Sequence, residues 1–222
     1  MSSAIRAKAL PALGFGAFAL ATLGLASAAL ATTESGRDRS WFATAYVHQF
    51  TNSNLADIPV GLVTGNWSLE RSYFSSVALN RVLVPVVPLD LPLVGRLLDG
   101  GSLELEGQFG LHSGLQNQAE VTLALVWRTP DYALPLGARV NFAIGEGLSY
   151  ALAQPAFEAV VNEAQPRRFL NYLAFEAEIA HARLPGVALV PRIHHRSGIF
   201  GLIAPQGSGS NFVGLGLRFT LQ

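Results

Sequence analysis

The stretch Leu170-Asn171-Tyr172-Leu173-Ala174-Phe175-Glu176-Ala177-Glu178-Ile179-Ala180-His181-Ala182 decides the fold. In an extended chain successive side chains point to opposite faces. Leu173, Phe175, Ala177 and Ile179 therefore share one face, and Tyr172, Ala174, Glu176, Glu178 and Ala180 the other. A soluble sandwich strand also alternates, but its charged face meets water. In a small membrane barrel that face points into a polar interior.

The rhythm recurs along the chain. Ser102–His112 sets Glu104, Glu106, Gln108 and His112 against Leu103, Leu105, Phe109 and Leu111, with Gly107 and Gly110 loosening the phase. Val213, Leu215, Leu217, Phe219 and Leu221 alternate with Gly214, Gly216, Arg218 and Thr220. Further strands are expected at Trp41–Phe50, Trp67–Val84, Ala119–Trp127, Ala138–Tyr150 and Val187–Arg196. Together they make eight, the smallest usual outer-membrane barrel. The fold class expected is thus all-β: an eight-stranded antiparallel outer-membrane β-barrel over residues 40–222, preceded by a signal peptide. The terminal Leu221-Gln222 lacks the aromatic last residue common in such barrels, although Phe219 is near. Pro85, Pro88 and Pro92 keep Val84–Gly101 from being a ladder strand throughout, because proline has no N–H to donate. That segment reads as an apolar excursion with a short interfacial helix around Leu93–Leu98.

Composition agrees. Charged residues are 14% of the 222, against about 25% in soluble domains, and the mean hydropathy is +0.34. Past the N-terminal segment, no run reaches the roughly 18 apolar residues that a spanning helix requires. Arg6 and Lys8, the apolar run Ala9–Leu25 and the small residues Ala26-Ser27-Ala28 and Ala29-Leu30-Ala31 make residues 1–31 a cleaved secretory signal, with a transmembrane anchor as the alternative. Cleavage would remove Arg6 and Lys8 from a chain of 15 basic and 15 acidic residues, leaving it slightly acidic. No basic run suits nucleic acid. With no cysteine, neither a disulfide framework nor a thiolate metal site is available. The histidines have no zinc-binding spacing, Gly145-Glu146-Gly147 is no phosphate loop, and no cofactor is expected.

Chemistry concentrates in Arg192-Ile193-His194-His195-Arg196-Ser197-Gly198. Ionisable groups at membrane depth are rare and usually functional. Alternation splits the segment. Arg192, His194 and Arg196 point inward, with Glu176, Glu178, Glu104, Glu106 and Glu146 as expected partners, and the plain reading of this set is a structural polar core. His195 and Ser197 share the outer, lipid-facing side roughly 7 Å apart along the strand. A histidine so placed is positioned to take the serine proton and activate it for acyl transfer. His112-Ser113 has the same residue types, but adjacent residues face opposite ways.

His195-Arg196-Ser197, its late strand and the export signal resemble the lipid A 3-O-deacylase family. This is an acyloxyacyl hydrolase-like group of eight-stranded outer-membrane barrels with an H-x-S pair on the outside. Leu105-Glu106-Gly107-Gln108, Gly145–Ala151, Leu170-Asn171-Tyr172-Leu173 and Gly209-Ser210-Asn211 look like a wider subgroup sharing H-H-R-S-G. The likeness covers most of 100–222 and is looser over 40–100. It implies Ser197 as nucleophile, His195 as general base, and Asn211 as a residue that orients substrate or helps bind an oxyanion. It also implies an ester of lipid A or a related glycolipid as substrate, and the bacterial outer membrane as location. A homodimer is left open.

One departure stands out. The family takes its triad glutamate from the outer face of the next strand, and here those positions are Val213, Leu215, Leu217 and Phe219. Losing the orienting acid of a serine triad costs about 10⁴ in rate. Another acid serves, the chain works as a slow dyad, or the chemistry is lost. The rival functions are a non-enzymatic small barrel that is structural or lipid-binding, and a soluble periplasmic sandwich or lipocalin-like binder.

Overall fold

The computed structural model describes residues 41–89, 98–158 and 166–221. The expected signal segment and, apart from Leu98, the expected helix at Leu93–Leu98 lie outside the described residues.

Nine strands follow one another: β1 (Trp41–Thr51), β2 (Leu69–Val87), β3 (Gly101–Gly114), β4 (Ala119–Arg128), β5 (Tyr132–Ala133), β6 (Ala138–Ala151), β7 (Phe169–His181), β8 (Val187–Ser197) and β9 (Gly209–Leu221). Antiparallel pairing runs in the order β4-β3-β2-β1-β9-β8-β7-β6, and β4 also pairs with β6, which closes an eight-stranded barrel. The two-residue β5 only edges β6. Closure leaves no free sheet edge, the condition a sheet must meet to cross lipid. Among the described residues no helix is long and apolar enough to cross a membrane.

The expected alternation holds. Val47, Val77, Phe109, Leu111, Leu123, Phe142, Leu215 and Leu217 form an exposed apolar outer surface. The opposite parity fills the inside with buried Glu104, Glu106, Glu176, Arg128, Arg192 and Arg218. Arg128 reaches Glu104 at 3.0 Å, Glu176 at 2.7 Å and Glu178 at 3.2 Å. Arg218 meets Glu104 at 2.9 Å and Glu178 at 3.3 Å, while Arg192 pairs with Glu106. Buried charges persist when they are paired, so this interior is a packed polar plug. Glycines make room for its rings. A Cβ at Gly216 would lie 2.4 Å from the Tyr46 ring, and one at Gly110 2.3 Å from that of Phe74.

Three expectations are corrected. Strand β2 continues through Pro85 to Val87, because register shifts between Val82 and Val84 and between Val84 and Val87 relieve proline of a ladder bond. Strand β9 begins at Gly209, four residues before Val213, which brings Asn211 into the ladder. Glu146 does not join the inward set. On β6 the buried residues are Asn141, Ala143, Gly145, Ser149 and Ala151, and Glu146 has the opposite parity. It shares the outer face with Phe142 and Leu148.

Candidate functional site

Strand β8 sorts as alternation requires. Arg192 is 2% exposed, His194 and Arg196 0%. His194 Nε2 lies 3.0 Å from Glu120. Arg196 bonds Ser149 at 2.8 Å and Glu158 at 2.6 Å. It also donates to the backbone carbonyls of Arg167 and Arg168. Arg196 therefore ties β8 to the β6–β7 connection, a structural duty. His112 is buried against Glu120 at 2.9 Å, so it too belongs to the interior.

The outer face carries a different group. Two cross-strand rows meet there. One runs Glu146, Leu173, His195, Asn211, Thr51 across β6, β7, β8, β9 and β1. The next runs Leu148, Asn171, Ser197, Gly209. Both lie toward the end of the barrel bearing connections 52–68, 115–118, 152–168 and 198–208.

His195 and Asn211 face each other directly, with His195 Nδ1 2.5 Å from Asn211 Oδ1. Asn211 Nδ2 donates to the backbone carbonyl of Ser53 at 2.9 Å. That carbonyl can only accept, so it fixes which end of the carboxamide faces His195. With the amide oxygen toward the ring, Nδ1 must carry the proton, which leaves Nε2 unprotonated. This is the tautomer a general base needs. The late start expected for β9 hid this contact from the sequence.

Ser197 sits two residues along the same face, and no hydrogen bond joins it to His195 among the described residues. Beyond it the chain turns sharply. A Cβ on Gly198 would lie 2.3 Å from the carbonyl oxygen of Ala204, so only glycine fits. Ile199 and Phe200 follow at φ 47° and 50°. A β-branched residue at positive φ is a strained conformation, and such strain clusters at functional sites. The loop exposes Phe200, Leu202 and Ile203 immediately past Ser197.

Two site residues escaped the sequence reading. Asn171 stands directly opposite Ser197 and is 4% exposed although it points outward. Glu146 pairs with Leu173, so Asn171, two residues earlier on the same face of β7, is its diagonal neighbour on the outer face. Strict parity over Ala138–Tyr150 gives Glu146 an outward place, a signal obscured by its flanking glycines. Among the described residues no cluster of histidine and acidic side chains is arranged to hold a metal.

No protein-family model and no curated protein sequence matches the chain. Among solved structures it is similar to the outer membrane enzyme PagL, at 13% identity and a TM-score of 0.54, over 81% of this chain and 99% of that one. It is also similar to the N-terminal β-barrel domain of Pseudomonas aeruginosa OprF, at 10% identity and a TM-score of 0.44, over 83% of this chain and 100% of that one. Neisserial surface protein A aligns at 9% identity and a TM-score of 0.47, over 84% and 100%. At the identity to PagL the likeness shows the fold alone: an outer-membrane β-barrel.

Proposed function

We propose that this barrel is an outer-membrane serine hydrolase of the lipid A 3-O-deacylase type, within the H-H-R-S-G subgroup, removing an ester-linked acyl chain from lipid A or a related glycolipid. The observation that carries the reading is the His195–Asn211–Ser53 chain of hydrogen bonds on the outer face, beside Ser197. A lipid-facing histidine needs no such support to fill space. A general base does, since it must hold one tautomer and one orientation.

In this reading Asn211 takes the place of the missing acid. Its oxygen accepts the Nδ1 proton, as an asparagine does in cysteine–histidine–asparagine proteases. His195 Nε2 then removes the Ser197 proton as Oγ attacks the ester carbonyl carbon, and the carbonyl electron pair moves onto oxygen. Collapse expels the glycolipid alkoxide, which takes the proton from His195. Water, deprotonated by the same imidazole, releases the fatty acid from Ser197. Rotation about χ1 must bring the two side chains together, within reach of neighbours on one face. The exposed Phe200, Leu202 and Ile203 give the acyl chain an apolar path to Ser197. A neutral amide does not stabilise the imidazolium as a carboxylate does, so turnover is expected to be slow.

The test is release of free fatty acid from lipid A in detergent micelles by the purified, folded barrel. Wild type should release it, and Ser197→Ala and His195→Ala should not. Equal release by all three, or none by wild type, would leave the non-enzymatic lipid-binding barrel as the better reading.

A further inference from the structure

Among the described residues, Glu146 is the one strand carboxylate on the outer face of the barrel. A carboxylate facing lipid is costly unless it is engaged. It lies in the same cross-strand row as His195, two strands away, with Leu173 between them. That separation is roughly 10 Å, and the Nδ1 of His195 is already held by Asn211. Glu146 is therefore not a displaced triad acid.

Its diagonal neighbour on that face is Asn171, which stands one row on and directly across from Ser197. Side chains so paired have Cβ atoms about 5 Å apart. A carboxamide carries two N–H donors and a carboxylate only acceptors. A contact between the two therefore takes one N–H of Asn171 and leaves it the other. Asn211, the amide directly across from His195, already spends its oxygen on His195 and an N–H on Ser53.

We propose that Asn171 is a catalytic residue that donates its second amide N–H to the oxyanion formed when Ser197 attacks an ester carbonyl, and that Glu146 is the positioning residue that aims it. This rests on the hydrolase reading above and adds to it the charge stabilisation that the His195–Asn211 pair does not supply. The near-complete covering of Asn171 excludes competing water, the condition under which such a donor acts most strongly. Glu146 acts through Asn171, with no contact to substrate. Asn171 only donates hydrogen bonds, and no proton moves to or from it.

Steady-state hydrolysis of lipid A in detergent micelles tests this, with heat-modifiable mobility confirming a folded barrel. Asn171→Ala should lower kcat by about 10²–10³-fold while KM stays within about threefold. Asn171→Asp, nearly isosteric but without an N–H, should lose as much, and it decides the matter should the alanine variant not fold. Glu146→Gln keeps an acceptor for Asn171 and should retain most of kcat, whereas Glu146→Leu should lose about tenfold or more. A merely structural role for the pair would not separate kcat from KM, nor Glu146→Gln from Glu146→Leu. If Asn171→Ala and Asn171→Asp turn over within about threefold of wild type while Ser197→Ala is inactive, the donor role is overturned and the hydrolase stands. If wild type itself releases no fatty acid, the hydrolase reading fails and the donor role with it.

Discussion

His195 Nδ1 lies 2.5 Å from Asn211 Oδ1 across the β8–β9 pair, on the lipid-facing side of the barrel. Two neighbouring strands thus hold an imidazole by its Nδ1 edge, two residues from Ser197 on the same face of β8. A third strand closes the arrangement, because the chain just past β1 supplies the Ser53 carbonyl that locks the amide.

Replacing Asn211 with alanine removes the acceptor and frees the histidine tautomer. Activity should fall by about 10²–10⁴-fold, near the cost of losing the orienting group of a serine triad. Asn211→Asp keeps an acceptor toward His195 and should retain more activity than alanine. Rates of fatty-acid release from the three purified proteins check the order.

Arg196 stands between the two outward residues in sequence but on the other side of the wall. Arg196→Met leaves Glu120 and Glu158 buried without that guanidinium. Breaking a buried pair costs about 3–5 kcal/mol. The denaturant midpoint of the folded barrel should drop accordingly, with activity lost only in proportion to unfolding.

Glu158, in the β6–β7 connection, has its carboxyl pushed above the ordinary range by burial, with Arg196 and Ser210 opposing that shift. The folded state therefore holds this proton more tightly than the unfolded chain does. Stability from this group is present at low pH and is lost as pH rises from the ordinary carboxylate value through the raised one. Unfolding midpoints of wild type and Glu158→Gln should diverge across that window, the variant lacking this part of the slope.

Leu123 is exposed on the outer face near the middle of β4. If that face meets hydrocarbon, Leu123→Arg should destabilise the barrel by about 2–4 kcal/mol in a bilayer. A cost near zero in lipid would argue that this surface meets water instead.

Much of this was legible in the residues because strand periodicity is two and this barrel keeps it. The parity of Glu176, Glu178, Arg192 and Arg196 was enough to separate wall from interior. Parity also divided His195 and Ser197 from their neighbours. What it did not reveal depends on register between strands. Asn211 meets His195, and Asn171 meets Ser197, only because β9 starts at Gly209 and β7 pairs as it does. No spacing along one strand encodes those pairings. Glu146 was misplaced for a smaller reason: its glycine neighbours offer no apolar side chain to mark the inner face.

Lipid A mass spectrometry from one host carrying wild type, Ser197→Ala or no barrel tests the central claim most directly. Loss of one ester-linked acyl chain with wild type alone, the alanine variant being folded and present at equal level, is the predicted result. An acyl pattern unchanged by wild type, or changed equally by Ser197→Ala, would contradict it.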